Sequence, residues 1–298
     1  MRLRNLIILF LACLLFTPAA ALPQTSSQQR ILIGLIPEMN IFKQKQRFKL
    51  LGDYLSKKTG IPVEFTILSR YGNILESFTT EKMDGAFFGS FTGALAIQKL
   101  GVSPLARPVN LDNTSTYQGY LFVRKNSGIR SAADMKGKKM AFVEKATTAG
   151  YIFPRAYLRE NGITNVDSYF GEHFFTGSHD AAVLAVLNRK ADIGAAKHSI
   201  YDRVRKENQR VDQELVILAK SPTVPSNGLC VRKNLAADIR KKLKDALLSL
   251  STEPEGKLVL EQFGALRFIE TTPEDYKPVF DMAKKAGIDM VHYNYRNE

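Results

Sequence analysis

Short apolar runs alternate with amphipathic segments along most of the chain from residue 30 onward. In the first hundred residues, the runs at 31–36, 63–68 and 84–89 have the length and composition of buried strands. Each run is followed by apolar positions at helical spacing, and the first of these helices ends at Gly60. This alternation predicts an α/β protein with mostly parallel sheets that are covered by helices on both faces.

Two extended segments interrupt the alternation about a hundred residues apart. One begins at Gly119 and the other at Gly228, and both end in Val-Arg-Lys. They predict two crossings between a pair of lobes. The first lobe is expected to combine residues 30–118 plus 228–290, and the second to span 119–227 with hinge strands at its ends. A single large sheet with an ordinary insertion is the alternative that this pattern leaves open.

The first 21 residues have the pattern of a secretory signal peptide. Arg2 and Arg4 precede an apolar run of eleven residues, and Ala19 to Ala21 provide small residues for cleavage. The run is too short to span a membrane comfortably. We expect cleavage near Ala21 and a periplasmic location. A lipid-anchored form through Cys13 is the alternative, although Phe10 stands where such a signal would carry Leu.

Cysteine content and net charge limit the disulfides that the chain can form and the partners that it can bind. Removal of the signal leaves Cys230 alone, which excludes an intramolecular disulfide and favours a small buried core residue at that position. The chain carries a net charge of +13, with its Lys and Arg scattered. The densest cluster, at 241–244, has the pattern of a solvated helix face. A basic exported chain therefore favours small anions as partners over nucleic acid.

Polar side chains recur where a predicted strand is followed by a helix. They are Tyr71, Ser90 and Thr92, Thr147 and Thr148, and Ser178 and His179. A helix start presents backbone N–H groups without intrahelical partners and the positive end of the helix dipole, a combination that suits an anion. Each residue alone can be explained as a helix cap or a packed side chain. Because ligands in α/β sheets bind beyond the carboxyl ends of the strands, all four junctions together predict one anion-binding cleft.

Several strings of the sequence closely resemble one known family. The most specific are Gly-Ser-His-Asp-Ala-Ala at 177–182 and Thr-x-Gly-Tyr-x-x-Pro at 148–154, which includes Gly150 and Tyr151. Over nearly the whole mature chain, the sequence is similar to the periplasmic phosphate-, phosphite- and phosphonate-binding proteins of ABC importers. The resemblance implies a two-lobed type II periplasmic-binding-protein fold, a small oxyanion ligand, a membrane permease as partner, and a monomer.

The resemblance also assigns the ligand-binding residues. It implies that Thr147, Thr148, Tyr71 and His179 hold the oxyanion. The histidine can donate a hydrogen bond in either protonation state, and can therefore bind anion oxygens over a range of pH.

This chain departs from the family pattern at several positions. Ala149 stands where the family has a hydroxyl residue, Ser90 replaces a Pro, and Gly93 stands where a Tyr is usual. We expect either weaker anion binding or a bulkier ligand that fills the space left by that ring. Lys197 and His198 occupy a region where relatives that bind aminoalkyl groups carry acidic residues, which disfavours an amine-bearing ligand and is compatible with a second acidic group on the ligand.

Two other functions remain open at this point. A protein of the same fold can report its ligand to a membrane receptor instead of delivering it to an importer. An enzyme is disfavoured, because the segment 89–93 has Phe91 where a nucleophilic Ser would stand. His173 and His179 lie six residues apart across a predicted turn, which is poor spacing for a shared metal ion. We therefore expect no catalysis, no cofactor and no metal.

Overall fold

A computed structural model of the protein describes residues 30–38, 41–166 and 168–297. The predicted signal peptide, 1–21, lies outside these residues. In the part of the chain that is described, every helix is too short or too polar to cross a membrane.

The described residues form thirteen strands and ten α-helices. The strands are β1 (Ile31–Leu35), β2 (Val63–Ile67), β3 (Gly85–Phe88), β4 (Ser103–Asn110), β5 (Thr116–Tyr117), β6 (Gly119–Arg124), β7 (Lys139–Phe142), β8 (Glu172–Phe175), β9 (Ile193–Lys197), β10 (Leu215–Lys220), β11 (Val224–Pro225), β12 (Gly228–Val231) and β13 (Ala265–Glu270). The helices are α1 (Ile41–Thr59), α2 (Ile74–Thr80), α3 (Ser90–Leu100), α4 (Phe153–Glu160), α5 (His179–Leu187), α6 (His198–Glu207), α7 (Arg210–Glu214), α8 (Ala237–Ser249), α9 (Pro254–Phe263) and α10 (Lys277–Lys285).

The strands form two large sheets and one small ribbon. The six-stranded sheet has the order β13-β4-β12-β3-β1-β2, and the five-stranded sheet has the order β10-β6-β9-β7-β8. All strands of the five-stranded sheet lie between residues 119 and 220, whereas those of the six-stranded sheet come from both sides of this range. From this distribution we propose the lobe boundaries given above, with the six-stranded sheet in the first lobe.

Each sheet is mixed. The strands joined through helices run parallel, as expected: β1 with β2 and β3, and β7 with β8 and β9. The strands that follow the crossings, β6 and β12, run antiparallel to their neighbours. The expected α/β fold is therefore confirmed, with mixed sheets whose antiparallel pairs lie at the strands that follow the crossings and between β4 and β13. A strand that returns directly from the other lobe has no crossover helix to reverse its direction.

Helices cover both faces of the sheets, and their apolar stripes explain why. Helix α1 places Phe48, Leu51 and Leu55 in the core at helical spacing. Strand β3 is buried at every position, as a central strand with helices on both faces must be. Cys230 is fully buried in β12, which confirms the core position expected for it.

The two crossings lie side by side. Strands β5 and β11 pair antiparallel, with Tyr117 opposite Val224 and Thr116 opposite Pro225. The backbone N–H of Ser226 also donates to the carbonyl of Ser115 at 2.9 Å. The lobes are thus joined by one two-stranded ribbon, and both of its strands continue directly into the large sheets.

Candidate functional site

A small, partly enclosed cavity lies between the lobes, where the carboxyl ends of the strands from both sheets meet. Its volume is about 10 Å³, room for about one water molecule. It is lined by Ile36, Glu38, Tyr71, Gly89, Ser90, Phe91, Tyr117, Ala146, Thr147, Thr148, His179, Lys197 and Asn227. Only a compact group of atoms fits this space unless the lobes move apart. We call it the oxyanion cavity.

Tyr71 and Thr148 face this cavity from opposite lobes. Tyr71 begins a short 3₁₀ turn after β2, and Thr148 begins the helical segment after β7. Both side chains are buried, and neither hydroxyl has a hydrogen-bond partner among the described residues. Burial raises the pKa of the Tyr71 phenol well above its ordinary value, so that it remains a donor. The two hydroxyls are thus available to a guest in the cavity.

His179 provides a third donor, at the start of α5. Its Nδ1 accepts a hydrogen bond from the backbone N–H of Lys197 at 3.2 Å. Burial, reinforced by the Lys197 charge, lowers the pKa of the His179 ring to about 4. The ring is therefore neutral near pH 7, and because Nδ1 accepts, its proton lies on Nε2. The edge of the Tyr71 ring packs against it, with ring centroids 6.2 Å apart.

One ion pair crosses the cavity between the lobes. Lys197 Nζ lies 3.1 Å from Glu38 Oε1 and 4.5 Å from the centre of the Tyr117 ring. Burial alone would raise the pKa of Glu38, but the charges of Lys197 and Arg47 and the hydrogen bond from Lys197 together outweigh it and lower the pKa, which keeps the carboxylate ionised. The cavity lining therefore carries no net charge, and most of its donors are neutral.

Ser90 and Thr147 also line the cavity, but both hydroxyls are already bonded within the protein. Ser90 Oγ is hydrogen bonded to the Pro225 carbonyl at 2.6 Å and to the Tyr117 hydroxyl at 2.9 Å. Thr147 Oγ1 donates to the Glu144 carbonyl at 2.6 Å. These residues fix the cavity walls, with Ser90 linking the first lobe to both strands of the ribbon.

Four of the residues selected from the sequence lie outside the oxyanion cavity. Thr92 is buried and donates to the Gly89 carbonyl at 3.1 Å, within its own turn. Gly150 packs against Val143, and Tyr151 lines a separate pocket, where its hydroxyl accepts from Arg155 at 3.0 Å. Ser178 lines a third pocket and donates to Asp180 at 2.5 Å.

The structure also shows what surrounds the positions that depart from the family pattern. A side chain at Gly93 would meet the ring of Tyr276, whose Cε1 lies 2.7 Å from the Cβ position. The expectation of a vacant space beside Gly93 that a bulkier ligand could fill is therefore wrong, because Tyr276 fills it. Ala149 packs against Gly119 at the start of β6 instead of lining the cavity.

Sequence reasoning missed three polar residues of the lining, Glu38, Tyr117 and Asn227. Glu38 lies at the junction between β1 and α1, but its carboxylate is not one of the donors to an anion that were used to select candidates. Tyr117 and Asn227 lie on the crossings, away from any junction where a strand runs into a helix. The conspicuous aromatic and amide residues in the two crossing segments could have identified Tyr117 and Asn227.

The cavity offers hydrogen-bond donors and not a metal-binding set. Within residues 30–38, 41–166 and 168–297, no group of three or more His, Cys, Asp or Glu residues is placed to hold a metal ion. The N-terminal turns of α3 and α5 add backbone N–H groups and the positive ends of their dipoles. Convergent neutral donors, with one ammonium and a closed wall, suit a small anion.

Comparisons with known proteins agree with this chemistry. The sequence model of a family described as "ABC transporter, phosphonate, periplasmic substrate-binding protein" matches residues 33–276. The chain is 25% identical over 274 residues to the phosphonates-binding periplasmic protein of Escherichia coli (strain K12), covering 90% of this chain and 79% of that one. It is 28% identical over 237 residues to the phosphate-import protein PhnD of Mycolicibacterium smegmatis, covering 76% and 72%.

A solved structure shares the fold. It is that of PhnD1 from Prochlorococcus marinus (MIT 9301) in complex with methylphosphonate. The TM-score is 0.74 at 23% identity, with 86% of this chain and 98% of that chain covered. This similarity confirms the two-lobed type II fold that the sequence predicts.

Proposed function

The chain belongs to the family of periplasmic substrate-binding proteins of phosphonate ABC transporters, and we propose that it binds a small tetrahedral oxyanion in the oxyanion cavity. The class of ligand is a phosphonate, phosphate or phosphite. The bound anion is then delivered to a membrane permease by a monomeric protein. As in its family, the protein acts in the periplasm.

The observation that carries this proposal is the pair of unsatisfied hydroxyls on Tyr71 and Thr148. A buried polar group without a partner costs about 1–3 kcal/mol, and most such groups in folded proteins are satisfied. Two of them, from different lobes, face the same small cavity beside the neutral His179 ring. An oxyanion accepts hydrogen bonds on every oxygen, and so it satisfies all three donors at once.

Lobe closure provides the binding mechanism in this proposal. The ribbon of β5 and β11 bends, and the lobes separate to admit the anion. When they close, Thr148 and His179 of the second lobe meet Tyr71 of the first across the ligand. Exclusion of water then strengthens these few hydrogen bonds.

Binding without catalysis is part of the proposal. His179 is the histidine that lines the cavity, and its lowered pKa of about 4 makes it a poor base near pH 7. The Cys230 thiol lies in the core, where burial raises its pKa to about 12, so that it is not an available nucleophile. A receptor-reporting role would use the same binding step, but the family match favours delivery to an importer.

A titration of the purified protein tests the proposal. Phosphate, phosphite, methylphosphonate and sulfate are each added while the melting temperature is followed. A ligand present at 100 times its dissociation constant stabilises the folded protein by about 2.7 kcal/mol, which raises the melting temperature. The proposal fails if none of the phosphorus oxyanions raises it.

The variants Thr148→Val and Tyr71→Phe test the site itself. Each removes an unsatisfied hydroxyl at nearly constant shape, so we expect the ligand-free protein to be as stable as the wild type or slightly more so. Loss of a hydrogen bond to a charged ligand should weaken affinity roughly 10- to 100-fold.

Thr59→Val is the matched control. Thr59 is equally buried, but its hydroxyl donates to the Leu55 carbonyl at 2.8 Å, far from the cavity. This variant should lose about 1 kcal/mol of stability and retain wild-type affinity. Wild-type affinity in both Thr148→Val and Tyr71→Phe would contradict the assigned site.

A further inference from the structure

A second, larger cavity adjoins the oxyanion cavity between the lobes. Its volume is about 170 Å³, room for a group of several non-hydrogen atoms. The two cavities share the lining residues Ile36, Glu38, Lys197 and Asn227. The larger one extends from there between α1 of the first lobe and α6 of the second. We call it the side chamber.

Two arginines face the side chamber from opposite lobes. Arg47, on α1, is held in place: its Nε donates to the Phe263 carbonyl at 2.6 Å, and its guanidinium lies 4.3 Å from the centre of the Phe263 ring. Arg203, on α6, is half-buried and has no carboxylate partner among the described residues. Both arginines line the same chamber. Burial lowers the pKa of Arg47, Glu38 opposes this, and the like charge of Arg203 adds to it.

The charges of the side chamber do not cancel. Its lining contains three cations, Arg47, Lys197 and Arg203, and one carboxylate, Glu38. The Glu38 carboxylate also attracts Arg47, but the hydrogen bond that it accepts comes from Lys197. An excess of two positive charges is thus left around a partly enclosed space, and a bound anion would relieve the repulsion between the arginines.

We propose that the preferred ligand is an organic phosphonate or phosphate ester with a second anionic group, an inference that rests on the proposed function. The second anionic group is held in the side chamber between Arg47 and Arg203. The oxyanion cavity has room for about one water molecule and must widen even to admit the phosphorus head group, so the organic substituent must occupy the adjoining chamber. Guanidinium groups bind carboxylate and phosphate oxygens in a bidentate manner, which suits a terminal acid. An aminoalkyl substituent would instead place an ammonium among three cations.

Matched ligand series test this inference by calorimetry. The first series carries a carboxylate: phosphonoacetate, 3-phosphonopropionate and 4-phosphonobutyrate. The second has alkylphosphonates of the same length, and the third has aminoalkylphosphonates. We expect the best carboxylate ligand to bind roughly 10- to 100-fold more tightly than its alkyl counterpart, because it gains hydrogen bonds to charged groups. The aminoalkyl ligands should bind most weakly.

Arg203→Gln should remove this preference, because it should weaken the best carboxylate ligand roughly 10- to 100-fold and methylphosphonate, which has no second anionic group, by a clearly smaller factor. Arg203→Lys, which retains the charge but loses the planar fork, should retain part of the preference. Lys206→Gln is the control, because it removes one positive charge from the exposed face of the same helix. Melting temperatures of all three variants verify that they are folded.

The outcomes separate this inference from the proposed function. If methylphosphonate and phosphate do not bind, the proposed function fails. If they bind, but carboxylate and alkyl ligands of every length bind equally well, the inference alone is overturned. It is also overturned if Arg203→Gln is folded and retains the full carboxylate preference.

Discussion

His179 illustrates how a single residue combines a structural and a binding role. The backbone N–H of Lys197 fixes the ring through Nδ1, which leaves Nε2–H as the donor available to the cavity. A protonated imidazole would have to give up this hydrogen bond, because Nδ1 could no longer accept. The same contact that orients the ring therefore also keeps it neutral.

This neutrality predicts a pH dependence of stability. The unfolded His179 takes up a proton below its ordinary pKa of 6.5, whereas the folded one does so only near 4. The unfolded state thus binds more protons between these values, and the free energy of unfolding falls as the pH drops from 6.5 to 4, by roughly 3 kcal/mol from this residue. The lowered pKa of His198, also caused first by burial, acts in the same direction.

Urea unfolding from pH 7 to pH 4.5 measures this dependence. His179→Asn should flatten the decline relative to the wild type, whereas His173→Asn, a change at an exposed histidine, should leave it unchanged. An equal decline in wild type and His179→Asn would show that the ring is not held neutral.

At the scale of elements, the helical segment after β7 begins with an unusually wide turn. Residues Thr148–Ile152 form a π-helical turn, in which the N–H of Ile152 donates to the carbonyl of Thr147, five residues earlier. Such turns occur often at functional sites. The periodicity of the sequence predicts an ordinary helix start here, and an ordinary start would place these side chains differently. This is why Tyr151, chosen from the same string as Thr148, lies in another pocket.

Gly150 makes the wide turn compatible with its neighbours. A Cβ at this position would lie 2.4 Å from Val143 Cβ and 2.7 Å from Thr147 Oγ1. Gly150→Ala should therefore displace the turn, with a loss of roughly 1–3 kcal/mol of stability by overpacking. Because Thr148 moves with the turn, the affinity for methylphosphonate should also fall at least about tenfold.

Gly128→Ala is the control that separates a loss of stability from a loss of affinity. Its φ of +75° strains any alanine, but the added Cβ would meet nothing within 4 Å. We expect this variant to melt earlier than the wild type and to bind normally. If Gly150→Ala also binds normally, the turn does not position Thr148 for the ligand.

At the scale of the whole molecule, residues 287–297 contact both lobes. The Tyr293 hydroxyl donates to the Lys145 carbonyl at 3.1 Å, and the N–H of Lys145 donates to Asn297 Oδ1 at 2.8 Å. On the first-lobe side, the Tyr293 ring packs against Phe91, and Arg296 forms an ion pair with Glu76 at 2.7 Å. This segment therefore stabilises the arrangement of the lobes seen in the structure, which is the closed form in the proposed mechanism.

The double variant Tyr293→Phe/Asn297→Ala removes both hydrogen bonds to the second lobe. Loss of about 1–3 kcal/mol from the closed form should weaken methylphosphonate binding roughly tenfold, and small-angle scattering should show a larger ligand-free protein. Arg296→Gln removes the exposed ion pair with Glu76 and leaves both hydrogen bonds to the second lobe in place, so it should have a smaller effect. Unchanged affinity and size in the double variant would contradict a role for this segment in closure.

The sequence predicts the large-scale organisation of the molecule better than it predicts the composition of the cavity. Alternating strands and helices predict the α/β class and the two extended crossings predict two lobes, while strand-to-helix junctions point to Tyr71, Thr148 and His179, which line the cavity. Glu38 stands at such a junction but lacks a donor for an anion, and Tyr117 reaches the cavity from a crossing, outside these junctions. Tyr276 was unforeseen because it packs against Gly93 from the other end of the chain.

The ribbon that joins the lobes limits how they can move. Because β5 and β11 are hydrogen bonded to each other, they would bend together in the proposed closure, and relative motion of the lobes would be close to a rotation about one axis. Thr148 and His179, both in the second lobe, would then approach or leave Tyr71 in the same movement. An arriving anion would then contact either the donors of both lobes or those of a single lobe. Binding of the anion would therefore be close to all-or-none.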